Sequence, residues 1–491
     1  MKKVLALLWV IIITSAIFVA IQLTGPKSTE NGPPEENKPT EGTEETVTEI
    51  QNNYEPAAAE PTLTFTQYMS AGDKSFSEGE IYDAIDNYQL AIKLNPNSLS
   101  ALMKLGNAAL LANDPKKAEE TFSQAEKIDS ESIEIKIGIT RSLLNQRNIE
   151  GAKTFVWTLS DSDYGVKYYT GIILVLYKDF EGAKNIFTQL AQAPTEQTEE
   201  VSTPIDPALK AKAQIFADTY TNFSYFTEAE NIFLETLLAK ALTDTGEYES
   251  AIPLLYDVLN QKNNYRDAWI VLGYAYLNTD KIPDAIDALT QAKSLDEDKP
   301  ETLFFLGLAY FANDDIDRAI SFLEQAEKKG FEPRDEIELR LGDLYLIKEK
   351  YSQASLKYEN VLALNTNSMD VFVRAIWLNI EKLNNPTKAL TLADTALKTH
   401  PDEAMSYNLA GWALTAAGKY DDAKSYLAKS LELNPSFDAA YLNFGWLYEK
   451  KGMDTLAKEY YKKAYTLGSG NSIASLAATR FNNLQINISQ P

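Results

Sequence analysis

The sequence predicts an all-α solenoid, a stack of helical hairpins. Three observations carry that prediction. A glycine followed twelve positions later by alanine recurs at intervals of 34 or 35 residues: Gly72 with Ala84 and Gly106 with Ala118, then Gly273 with Ala285, Gly307 with Ala319 and Gly342 with Ala354, and finally Gly411 with Ala423 and Gly445 with Ala457. Each unit holds two apolar segments at helical spacing, joined by a polar turn such as NTDKIP or TAAGKY. Proline or asparagine punctuation, as in LNPNS, LNTNS and LNPSF, closes the second segment.

Composition narrows the function before any motif is read. The 491 residues carry a formal charge of −24 and a pI of about 4.6. Such a chain repels phosphate backbones and anionic lipid heads, and no dense Lys/Arg stripe counters this. Nucleic acid is therefore excluded as a partner, and a basic or neutral protein or peptide fits better. With no cysteine there is no disulfide, thiolate nucleophile or Cys-rich zinc site. His400, the only histidine, is expected exposed at a helix end, so neither a His-based triad nor a His-rich metal site can form.

The first element is residues 1–24. Lys2 and Lys3 precede Val4–Thr24, a run of 21 residues without a charge. As a helix it spans about 31 Å, enough for a bilayer core. It exceeds the ~7–15 apolar residues of a cleaved signal. We expect an uncleaved signal anchor with its N-terminus inside, a single pass through the cell membrane and an extracytoplasmic repeat domain. Residues 25–64 hold nine Glu, two Lys, six Pro and seven Thr. That acidic Pro/Thr/Glu-rich linker buries too little apolar surface to fold and is expected to be a disordered, extended stalk.

Repeats follow at 65–98 and 99–132, with two degenerate units at 133–163 and 164–197, forming an N-terminal array over 65–197. A C-terminal array over 232–471 holds units at 232–265, 266–299, 300–333, 335–368, 369–403, 404–437 and 438–471. The unit at 369 carries one extra residue, with Ile376 and Ala389 as its pair. Between the arrays, 198–231 is a break with an extra helix; its polar, Pro-containing entry at 193–209 leaves hinge and packed-over loop both open. Residues 472–491 are expected to be a solvating end helix and tail, which stacked repeats need.

This pattern resembles the tetratricopeptide repeat family. In DAWIVLGYAYLNTDKIPDAIDALTQAKSLDED, Trp269, Leu272, Gly273, Tyr276, Ala285, Leu289 and Ala292 occupy the family's signature places. The resemblance implies a right-handed superhelix whose first helices line a concave groove through places 2, 5, 9 and 12 of each unit. Trp377, Trp412 and Trp446 all fall at place 9. Two readings stay open: a partner-binding stripe, or filler packed on the neighbouring unit. Tryptophan supplies large contact area at low entropy cost and dominates interface hot spots. Tyr274, at place 9 of its own unit, and Asn408 and Arg374 near the ladder complete the candidate groove. The family's carboxylate clamp needs Lys at place 5 and Asn at place 9; Asn107 has Met103 at place 5, so that clamp is not expected.

Two decoys fail on geometry. Asn313, Asp315, Asp317 and Glu324 have calcium-loop spacing, but Arg318 stands where the loop needs glycine. LGSGNS lacks the lysine of a phosphate loop. We therefore expect a non-catalytic, membrane-anchored scaffold without metal or cofactor, binding a protein or peptide partner in its groove, in cell-envelope assembly. The alternative is a polysaccharide-export helper whose tryptophan ladder stacks on sugar rings.

Overall fold

The first hairpin shows how the repeat builds itself. Thr64 and Gln67 cap helix Phe65–Ser77 reciprocally: the Thr64 hydroxyl accepts from the Gln67 N–H, and the Gln67 side chain accepts from the Thr64 N–H. Gly79 turns the chain in left-handed backbone, and Ile81–Leu94 runs back. Gly72 has no side chain, so the Tyr88 ring lies against its backbone; a Cβ there would sit 2.5 Å from the ring. The same slot is filled by Phe122 on Gly106, Tyr358 on Gly342 and Leu427 on Gly411. The filler is thus sixteen residues after the glycine. The alanine twelve residues after it sets the backbone approach: a Cβ on Gly307 would also lie 3.3 Å from the Ala319 carbonyl oxygen. Ala84, Ala118, Ala285, Ala319, Ala423 and Ala457 are all fully buried.

The computed structural model describes residues 63–197, 204–225, 231–364, 368–468 and 472–486. Among these there are 24 α-helices and no strand, so the fold is an all-helical repeat solenoid. No helix of the described residues is long and apolar enough to cross a membrane. The apolar run Val4–Thr24 and the stalk up to residue 62 lie outside the described residues.

Each described hairpin turns on one left-handed residue. These are Gly79, Asn113, Arg147, Lys178, Gly246, Asp280, Asp314, Glu349, Asn384, Gly418 and Gly452. Glycine, asparagine and aspartate tolerate this backbone; arginine, lysine and glutamate are unusual there. The unit at 164–197 differs from expectation: it keeps the whole packing device, with Gly171 under Phe187 and Ala183 fully buried. The unit at 133–163 is the shortened one, its second helix being Ile149–Val156. The extra residue at 369–403 is absorbed in a π turn, Leu378–Lys382, that follows helix Met369–Trp377. The Leu383 N–H donates to the Leu378 carbonyl, and the Asn379 side chain donates to the Ala375 carbonyl and the Ser355 hydroxyl.

Within the break, the described residues pack into the core. Helix Pro207–Phe223 stacks Phe216 on Phe187 at 4.2 Å, nearly parallel, and one apolar cluster runs from Leu144 to Ala288. The chain then folds back on itself. The turn residues of three consecutive N-terminal units all dock on the start of the C-terminal array. Asn113 donates to the Thr279 carbonyl at 2.7 Å. Arg147 pairs with Glu249 at 2.7 Å, and Lys178 reaches Glu235 at 3.2 Å and Asp257 at 3.1 Å. Lys281 also bonds Glu249, and Tyr169 donates to the buried Glu247. This seam joins the two arrays.

Candidate functional site

The first helices of units 335 to 438 carry most of the candidate groove. Glycine at place 8 admits a ring from the second helix, and the hydroxyl of a tyrosine there emerges beside the acidic residue of the first helix. Tyr358 donates to Asp343 at 2.8 Å, and the Arg374 guanidinium of the next unit meets the same oxygen at 2.5 Å. The first repeat has the same arrangement: Tyr88 donates to Asp73 at 2.8 Å and Lys104 at 2.6 Å. Burial alone would lift the Asp73 carboxyl, but bonds from Lys104 and Tyr88 outweigh it and hold it below the usual range. A variant joins Tyr461 and Arg480, the latter from the end helix Ser472–Ile486, through Glu449, four residues after Gly445 instead of one. These triads couple neighbouring repeats through tyrosine, acid and base.

Each candidate residue now has a place. Arg374 is buried and engaged with Asp343. Asn408 is buried and accepts from the Asn443 amide at 2.9 Å. Tyr274 is half-buried, its ring 5.0 Å from that of Phe305 and 6.0 Å from that of Tyr248. Trp377 and Trp412 are half-buried and packed against the central apolar cluster. Trp446 is only 8% exposed. The three tryptophans therefore keep one register on successive first helices but differ in depth.

Cations attend two of them. Lys382 Nζ lies 5.7 Å from the Trp377 ring. Lys450 Nζ and the Arg480 guanidinium lie 5.5 and 5.8 Å from that of Trp446. Arg480 also contacts Glu449 at 3.7 Å and Glu381 at 3.9 Å. Sequence reasoning missed these cations and the triads. Tyrosine sixteen residues after the packing glycine was the readable signal for a triad. Elsewhere, Trp157 is exposed on the unit at 133–163, and the calcium-like run is a helix start: Asp315 caps Ile316–Lys328 by accepting from the Arg318 N–H. Among the described residues no three metal-ligating side chains converge.

Comparison with known proteins bears on the repeats that carry this site. The model of one family, the tetratricopeptide repeat, matches residues 76–133, 236–300, 270–336, 381–436 and 409–472, together just over half of the chain. The anaphase-promoting complex subunit cut9 of Schizosaccharomyces pombe is 21% identical over 318 residues, 63% of this chain. The matched part spans 44% of cut9. Among solved structures, the Cut9–Hcn1 hetero-tetramer aligns over 86% of this chain and 96% of that one, at 13% identity and a TM-score of 0.31. The C-terminal part of a repeat protein from Cytophaga hutchinsonii aligns over 49% of this chain and 98% of its own, at 17% identity and a TM-score of 0.40.

Proposed function

The chain belongs to the tetratricopeptide repeat family, and on that premise we propose that the groove of its C-terminal array docks a protein or peptide partner. The family supplies scaffolds suited to protein–protein interaction and is generally non-catalytic. One observation carries the choice of surface. Trp377 and Trp412 stand at the same place on successive first helices, and both remain partly open. Large, rigid aromatic faces of this kind act as anchors in interfaces. The proposal extends to place: the apolar run at residues 4–24 tethers the scaffold to a membrane, and the acidic stalk carries the repeats outward, where they serve assembly at the cell envelope.

The deciding experiment sets peptide and protein pull-downs beside a glycan array, using the full chain and its Trp412→Leu variant. Peptide or protein capture that is lost with Trp412 supports the reading. Glycan binding lost with Trp412 replaces it with the polysaccharide one.

A further inference from the structure

We propose that the Trp412 face is a receptor for an arginine side chain of the partner, which deepens the groove reading above and rests on it. Three observations converge. First, the flanking rungs are each capped from within: Lys382, five residues after Trp377, and Lys450, four residues after Trp446, lie over their rings. Ala416 and Ala417 hold the corresponding positions after Trp412. Among the described residues no lysine or arginine lies over the Trp412 ring. Second, Arg480 shows what this neighbourhood takes. Its guanidinium sits against an indole and between two carboxylates, Glu449 at 3.7 Å and Glu381 at 3.9 Å. Third, Glu381 follows helix Met369–Trp377 and Glu449 lies on Asp438–Lys450. Those elements flank Ala404–Ala416, the helix that carries Trp412. Both carboxylates keep about a third of their surface open, 34% and 30%.

The chemistry selects the occupant. An indole face attracts a cation, and guanidinium also stacks on it. The two carboxylates, on the elements before and after the Trp412 helix, add charge that a neutral or acidic side chain cannot use. The whole chain, at −24, draws a basic segment in. Arg480 then acts as a placeholder: an incoming arginine competes with it for Glu381 and Glu449.

The test selects a randomised decapeptide library on the full chain, then remakes the enriched peptides with citrulline in place of each arginine. We expect arginine to be enriched. We expect citrulline, Trp412→Leu and the paired Glu381→Gln/Glu449→Gln change each to weaken binding on the order of tenfold. Arg480→Ala should strengthen it several-fold. Thermal melts confirm folding, which is needed for Glu449→Gln because Glu449 also accepts from the buried Tyr461 hydroxyl. Enriched peptides that need Trp412 but bind equally with citrulline overturn the arginine inference and leave the groove reading standing. Enriched peptides indifferent to Trp412, or no enrichment at all, overturn both.

Discussion

Arg147 donates to Glu249 across 102 residues of sequence, joining the turn of an early repeat to the second helix of the unit at 232–265. Arg147 is 35% exposed and Glu249 only 7%. Removing the arginine leaves a buried carboxylate with Lys281 as its remaining ionic partner. We expect Arg147→Ala to cost about 1–2 kcal/mol, less than a fully buried pair because solvent screens the arginine. A double-mutant cycle with Glu249→Ala should show coupling of about 1 kcal/mol in chemical denaturation. Additive effects would remove this pair from the forces that join the arrays.

Glu247 lies in the same seam. Burial pushes its carboxyl up, and Lys212, Arg141 and the Tyr169 hydroxyl only partly offset this. The sign follows: a raised folded pKa gives stability that is complete below the unfolded value and is lost as pH rises toward the folded one. Glu247→Gln should therefore flatten the decline in stability above about pH 4.5. A variant with the wild-type slope in urea midpoints across that range would exclude Glu247 as its source.

Phe122 lies between Gly106 and Gly138; a Cβ on either glycine would come within 2.6 and 2.8 Å of the ring. Gly106→Val should cost at least about 2 kcal/mol through overpacking. Phe122→Leu, the filler other units use, should recover part of it. Because repeats couple to their neighbours, hydrogen exchange should rise first in units 65–98 and 133–163. A uniform rise along the chain would contradict nearest-neighbour coupling.

The three tryptophans should separate by depth. Trp446→Ala should lose about 3–5 kcal/mol of stability, as buried aromatics do. Trp377→Ala and Trp412→Ala should lose about 1–2 kcal/mol, their rings being only partly buried. Partner affinity should fall on the order of 2 kcal/mol with Trp412. Thermal melts and a titration on the same proteins check this; equal melting shifts for all three would erase the distinction between packing and binding rungs.

Topology can be read with reporters fused after Thr64. We expect an active alkaline phosphatase fusion and a dark fluorescent-protein fusion, with residues 1–24 retained in the mass of the product. The reverse pair of signals would put the repeats on the cytoplasmic side.

The hairpins were legible in the sequence because their contacts are local. Gly72 and Ala84, or Gly411 and Ala423, sit at fixed offsets, and a close helix pair tolerates little else there. The same periodicity put Trp377, Trp412 and Trp446 in one register, and it exposed the extra residue that the π turn at Leu378–Lys382 absorbs. Depth was not legible: register says which face a side chain leaves from, not what covers it. Trp446 is buried, with Arg480 of the end helix and Lys450 over its ring, and Arg374 is drawn to Asp343 beside the Tyr358 hydroxyl. The return of the chain on itself was equally hidden. Arg147 and Lys178 stand at turn positions where other hairpins have glycine, asparagine or an acidic residue, a visible oddity. Their carboxylates, Glu249 and Glu235, lie 102 and 57 residues away along the chain, and the periodicity does not say that units so far apart meet in space. Such contacts are set by the path of the backbone through Pro207–Phe223, where Phe216 meets Phe187. The repeating unit can be read from the chain because its packing closes within about 34 residues. Which surfaces meet when those units curve and return depends on long-range packing that no local pattern encodes.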